Sequence, residues 1–343
     1  MNTFALPIVA ALIAGTAVAS ETWSTNPAEA MQQAAAQKKG VMLEFTGSDW
    51  CGACISQKTQ AFSLPKVQEA IGRSFIPVEL DFPRKKQQDE QTRASFNSYK
   101  ESYGITGFPS LIFTDAQGRP VHTVVGYGSP EQVMNDTAQA EKALKAQQEL
   151  TGKLEGKLSD QERRDALARL LKTVPQSSIR TFYKPAFEEL TALDPQDTTG
   201  IRAALERKDL LKTQSAEMVQ TLRENNYYLY EVKEHESRKR AVTILDNALK
   251  KEGLLPEIRQ SLLLTKARLL IRRNRVNEVE EILKSAIALL PDSDEGRACS
   301  RLLADLPNIK KERENLKPGE QPPLPPGAIP AAKCIVPPAA AKK

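Results

Sequence analysis

Apolar residues in the first half of the chain form short runs separated by amphipathic stretches, and that rhythm predicts an alternation of helices and strands. Asn26-Pro27 reads as a helix start, an Asn N-cap followed by Pro at the first helical position. Residues 27–38 then carry Ala30, Met31, Ala34 and Ala35 on one face, and Gly40 fits a helix stop. Val41 to Phe45 predicts a buried strand. A second helix is expected from Cys51 to about Phe62, with a further helical stretch from Pro65 to about Arg73. Phe75 to Phe82 alternates as a strand, and the charged stretch Arg84 to Lys100 suits a solvated helix. Leu111–Thr114 and Val121–Val125 flank the turn Asp115-Ala116-Gln117-Gly118 as an antiparallel pair. Ser129-Pro130-Glu131 caps a closing helix to about Leu150. This order describes a mixed central sheet with helices on both faces, an α/β domain over 21–150.

From Ser159 the alternation disappears and apolar residues recur at three- and four-residue steps up to about Glu314. Leu263, Ala267 and Leu270, a polar turn at Arg273-Asn274-Arg275, then Val279, Leu283 and Ala286 predict two helices joined by a tight turn. An all-α domain over 159–314 is therefore expected. Its spacing resembles degenerate tetratricopeptide repeats, with a drifting period and without the consensus aromatic and glycine; a plain helical bundle fits the same pattern. The tail 317–343 is rich in Pro and Ala, cannot bury a core, and is expected to be disordered or polyproline-like.

Composition adds limits. The chain has 343 residues, 40% of them apolar, and a formal net charge of +5. Lys/Arg and Asp/Glu are interleaved, so the charge supports no nucleic-acid or membrane-surface role. Phe4 to Ala19 is an apolar run ending in Ala17-Val18-Ala19, the small-residue pattern of a signal-peptidase site. A signal peptide over 1–19, cleaved before Ser20, predicts a periplasmic or secreted protein with no stable membrane span after cleavage. The run carries no Lys or Arg ahead of it, which leaves an N-terminal anchor as the alternative. It is shorter than the ~20 apolar residues a spanning helix needs.

There are four cysteines, Cys51, Cys54, Cys299 and Cys334. So few in a long exported chain do not make a disulfide-built scaffold. Cys51 and Cys54 follow a strand and open a helix, where unpaired backbone N–H groups and the helix dipole favour thiolate over thiol. Cys51 is the candidate attacking thiol, and Cys54, one turn on, the candidate resolving thiol; exchange between them needs no cofactor. A structural zinc site needs about four ligands, and the histidines, His122 and His235, show no ligand spacing. A permanent structural disulfide is the other alternative. Cys299 reads as a buried apolar residue; Cys334, in the tail, could pair with it, pair with another chain, or stay free.

The segment Glu44-Phe45-Thr46-Gly47-Ser48-Asp49-Trp50-Cys51-Gly52-Ala53-Cys54 resembles the strand and active site of the thioredoxin family. Tyr103-Gly104-Ile105-Thr106-Gly107-Phe108-Pro109-Ser110 resembles that family's second hallmark, the loop whose cis-proline faces the redox pair. The likeness covers roughly 21–150. It implies a thiol–disulfide oxidoreductase acting on protein substrates together with an unidentified redox partner, with Cys51 and Cys54 forming the redox disulfide. It implies a cis Pro109 that helps dock substrate and Glu44 as proton acceptor for Cys54, with a solvent-facing strand carboxylate as the alternative for Glu44. Trp50 reads as a substrate-facing aromatic rather than core, and Phe108 as either core or part of the substrate face. Gly52 and Ala53 would tune the redox poise. Ala53 stands where the family more often has Pro or His, so reductase, oxidase and isomerase remain open. One extra residue separates Glu44 from Cys51, and Phe82-Pro83-Arg84-Lys85-Lys86 adds a basic turn. These details look most like exported bacterial thioredoxin-like proteins. The competing reading is a non-enzymatic scaffold whose helical domain binds protein partners.

Overall fold

The computed structural model describes residues 23–224 and 235–314, divided into two compact units between Thr199 and Gly200. The expected signal peptide, the Pro/Ala-rich tail and Cys334 lie outside the described residues. Among the described residues no helix is long and apolar enough to cross a membrane.

The first unit opens with helix α1 (Pro27–Gln37). The Asn26 side chain accepts from the Ala28 and Glu29 N–H groups, so the expected cap forms. The stop is one turn earlier than Gly40. Lys38 takes the left-handed conformation (φ 54°), and Gly40 begins strand β1 (Gly40–Thr46). A Cβ at Gly40 would stand 2.3 Å from the Thr114 carbonyl oxygen, so close strand approach is the reason for glycine there. Next come α2 (Gly52–Gln57), a π-helical continuation (Lys58–Phe62), α3 (Pro65–Ser74) and β2 (Phe75–Asp81). Helix α4 (Glu90–Ser102), β3 (Ser110–Thr114), β4 (Pro120–Val125) and α5 (Pro130–Leu154) complete the α/β part.

The sheet order is β2-β1-β3-β4, with β1 parallel to β2 and the other pairs antiparallel. Every residue of β1 is buried, because a central strand with helices on both faces has no solvent side. Its side chains alternate between two cores. Val41, Leu43 and Phe45 pack with Ala30 and Ala34 of α1 and with Phe96 of α4. Met42 packs on the opposite face with Val67 and Ile71 of α3 and with Val133, Ala140 and Leu144 of α5. Glu44 shares the Met42 face by the same period of two.

Helix α4 starts at Glu90 rather than at Arg84. The Asp49 carboxylate accepts the backbone N–H groups of Arg84, Lys85 and Lys86 at 2.7–2.9 Å, fixing those residues in a turn, and Asp89 then caps the helix. Helices α6 (Asp160–Thr173), α7 (Ile179–Phe182) and α8 (Lys184–Leu193) follow. The Tyr183 hydroxyl donates to the Pro120 carbonyl of β4, and Phe182 stacks on Tyr103 at 4.8 Å. The compact unit therefore runs to Thr199, past the expected division between 150 and 159.

The second unit contains α9 (Ile201–Glu224), α10 (His235–Leu249), α11 (Pro256–Arg272), α12 (Val279–Leu289) and α13 (Asp294–Glu314). Helices α11 and α12 are joined by the expected polar turn, where Asn274 has φ 60°. Leu245, Ala267, Leu270, Val279, Leu283 and Ala286 form its fully buried centre together with Cys299, which has no disulfide partner among the described residues.

Candidate functional site

Strand β1 ends at Thr46, and the chain turns at once into the cysteine pair. The Gly47 carbonyl accepts from the Trp50 and Cys51 N–H groups, so the residues between strand and helix close as one tight turn. A Cβ at Gly47 would come within 2.6 Å of the Trp50 ring, which makes glycine necessary. The turn is fixed to β2 and its exit. Ser48 donates from both its N–H and its hydroxyl to Asp81. Asp49 holds the 84–86 turn, and Trp50 Nε1 donates to the Phe82 carbonyl at 2.8 Å. The extra residue between Glu44 and Cys51 is thus absorbed in the turn, and Glu44 stays inside β1.

Cys51 is the N-cap of α2, and its Sγ accepts from the Cys54 N–H at 3.2 Å. The two sulfurs are bonded as a disulfide with Cα atoms 5.3 Å apart. Cys51 is 8% exposed and Cys54 1%. Cys51 is thus the less buried residue of the pair. Gly52 and Ala53 are exposed between them.

Pro109 is buried, and the Phe108-Pro109 bond is cis. The Phe108 ring meets Trp50 edge-on at 5.7 Å and Phe82 at 5.3 Å. Trp50 adjoins Cys51 and Phe108 adjoins Pro109, so this contact brings the two hallmark segments together. Both rings are half-buried. Trp50 is covered on one face by the Arg84 guanidinium, 3.6 Å from the ring centroid.

Glu44 is 1% exposed, and its Oε1 has no hydrogen-bond partner among the described residues. Burial, reinforced by the Glu79 carboxylate beside it in the parallel register, pushes its pKa up to about 8 from an ordinary value of 4.5. It lines a cavity of about 270 Å³ with Lys58, Phe62, Gln68, Glu79 and Trp23. Trp23 packs on Phe62 at 4.7 Å, and Lys58 pairs with Glu79 at 2.5 Å. Lys58 lies one turn beyond Cys54 on the same helical segment.

Sequence reasoning singled out Glu44, Trp50, Cys51, Gly52, Ala53, Cys54, Phe108 and Pro109; the Trp50–Phe108 contact joins the cysteine segment to the Pro109 loop, and Glu44 lies within β1, lining the cavity with Lys58. Sequence reasoning missed Ser48, Asp49 and Asp81, which position the turn, and the Lys58–Glu79 pair near Glu44. The visible signal for Asp49 was an acidic residue next to Trp50 ahead of a basic turn lacking a cap of its own.

A family profile for the thioredoxin-like domain matches residues 27–140. A disulfide bond reductase DsbH of Chlamydia pneumoniae is 38% identical over 103 residues, 30% of this chain and 61% of the relative. A thiol:disulfide interchange protein DsbD of Salmonella choleraesuis (strain SC-B67) is 34% identical over 101 residues, 28% of this chain and 16% of that protein. A solved structure titled DsbH oxidoreductase has 30% identity, a TM-score of 0.34, and covers 41% of this chain and 95% of its own. The chain therefore spans less than two thirds of the length of the curated relatives it matches. The profile match and the curated relatives cover the segment that carries the cysteine pair, and residues 27–140 are a thioredoxin-like domain.

Proposed function

We propose that the first unit is a thiol–disulfide oxidoreductase acting on protein disulfides or dithiols through Cys51 and Cys54. The observation that carries this reading is the Cys51–Cys54 disulfide at the start of α2, with the less buried cysteine at the N-cap. The curated relatives named for disulfide reduction and thiol:disulfide interchange support it.

In the reducing direction the Cys51 thiolate attacks one sulfur of a substrate disulfide. A mixed disulfide forms, and the displaced substrate thiolate takes a proton. Cys54 then loses its proton and attacks the Cys51 sulfur, releasing the second substrate thiolate. Two electrons pass from the dithiol to the substrate, and the Cys51–Cys54 bond is restored. Oxidation of a substrate dithiol runs the same steps in reverse. The helix N-terminus and the Cys54 N–H stabilise the Cys51 thiolate. Glu44, whose pKa is raised to about 8, accepts the Cys54 proton in its ionised form, a fraction that grows as pH rises toward 8, and it lines a cavity through which it can exchange that proton. Trp50, Phe108 and Pro109 form the substrate face, and Gly52 and Ala53 set the poise. The run Phe4–Ala19 supports export, so the setting is the cell envelope or the medium. The second unit is the candidate surface for a protein partner.

The test is thiol-dependent reduction of insulin by the full chain and by Cys51→Ser. Activity in the wild type and none in the variant is expected; equal rates would remove the enzyme reading. Cys54→Ala should accumulate mixed disulfides on Cys51.

A further inference from the structure

Large exposed apolar side chains are rare among the described residues: Ile55, Val125, Tyr127 and Leu210. Three of these four border the disulfide's surroundings. Ile55 follows Cys54. Val125 sits opposite Ser110 in the ladder, and the N–H of Gly126 donates to the Pro109 carbonyl. The Tyr127 hydroxyl donates to Gln60, just beyond α2. On the other side, aromatic rings carry cations. Arg84 lies over Trp50, and Lys100 Nζ stands 5.8 Å from the Phe82 ring and 6.0 Å from Phe108. Neither cation is paired with a carboxylate among the described residues. Asp49, the acid beside Trp50, is committed to three backbone N–H groups, which hold its carboxyl below the usual range. Lys85 extends the positive rim and is exposed.

We propose that this rim selects the substrate: the surface receives an extended protein segment that carries an acidic side chain beside its reacting cysteine. This rests on the thiol–disulfide reading above. The apolar side, Ile55, Val125 and Tyr127, receives the segment's aliphatic residues. Arg84 and Lys100 receive its carboxylate. Both cations are held on aromatic faces, which keeps their charge in place without neutralising it. Matching charge at such a rim speeds encounter and fixes register.

The test uses the reduced full chain and three probes. Two are cysteine peptides joined to a neutral thiol, with either Asp or Lys flanking the cysteine. The third is 2-hydroxyethyl disulfide, which is small and uncharged. Each peptide rate is divided by the rate on the small disulfide for the same variant, so a general loss of chemistry cancels. The Asp peptide should exceed the Lys peptide by roughly tenfold in second-order rate constant at low salt, with the gap closing as salt screens the rim. Arg84→Gln with Lys100→Gln should abolish the preference, and Arg84→Glu with Lys100→Glu should invert it. Lys142→Glu, the same charge change on the exposed face of α5, should keep it. Equal rates for the two peptides in the wild type, or a preference that survives the double Glu variant, would overturn the proposal while leaving disulfide exchange standing. No reaction with any of the three probes would overturn the exchange reading and this proposal with it.

Discussion

At the scale of single residues, Glu44 ties stability to pH. Burial first, and then the Glu79 charge, raise its folded pKa to about 8 from the ordinary 4.5 of the unfolded chain. Between those values the folded state holds a proton that the unfolded state has released, so stability falls as pH rises through that window and levels off above it. The slope approaches about 1.4 kcal/mol per pH unit for one group. Denaturant midpoints of the oxidised full chain at pH 5, 7 and 9 should show this decline, and Glu44→Gln should flatten it. In the reduced enzyme the same variant should weaken the pH dependence of the second exchange step. Asp49 acts oppositely: backbone N–H groups, that of Arg84 first, hold its carboxyl below the usual range. Asp49→Ala leaves those donors to water, frees the 84–86 turn and loosens Arg84 from Trp50. A lower Tm and an altered Trp50 emission spectrum are expected.

At the scale of elements, α7 and α8 are fastened to the sheet by a polar bond inside an aromatic contact. Tyr183 is 2% exposed, its hydroxyl donates to the Pro120 carbonyl, and Arg119 lies 5.7 Å from its ring. Tyr183→Phe keeps the ring, removes the donor and strands a buried carbonyl, so a loss of about 1–3 kcal/mol is expected by chemical denaturation. Phe182→Ala should cost stability by a different route, the loss of stacking on Tyr103. Neither contact was legible in the sequence, because a bond between Tyr183 and Pro120 spans 63 positions and leaves no local pattern. Local pattern did carry the strands, since β1 to β4 alternate or are mostly apolar and sit between clear turns. The Asn26 and Ser129 caps were legible for the same reason: a cap is a side chain reaching two or three residues along. The start of α4 was not. The basic run at 84–86 looks helical by composition, and the carboxylate that turns its backbone aside comes from Asp49, across the sheet end. The cysteine pair and Pro109 were legible as motifs, whereas the Lys58–Glu79 pair beside Glu44 required the parallel register of β1 and β2.

At the scale of the whole molecule, the two compact units give the enzyme and scaffold readings different consequences. The groups proposed for exchange all lie in the first unit, whereas the second has its own buried core around Leu245, Leu270, Ile271 and Leu283. Leu270 is 0% exposed there, and its truncation to Ala leaves a cavity costing about 2–5 kcal/mol. Units with separate cores unfold as separate cooperative blocks, so this cost should fall on the second unit. Calorimetry of Leu270→Ala should show one transition moved to lower temperature and another unmoved. Insulin reduction, measured below the lowered transition, should match the wild type. Met42→Ala, a truncation in the sheet core under the cysteine helix, should move the other transition instead and lower insulin reduction as it does so. If Leu270→Ala abolished reduction while the first transition stayed in place, exchange would depend on the helical unit as a substrate platform. The enzyme would then be the whole chain, and the search for its substrates would begin at α9–α13 rather than at the rim of the disulfide.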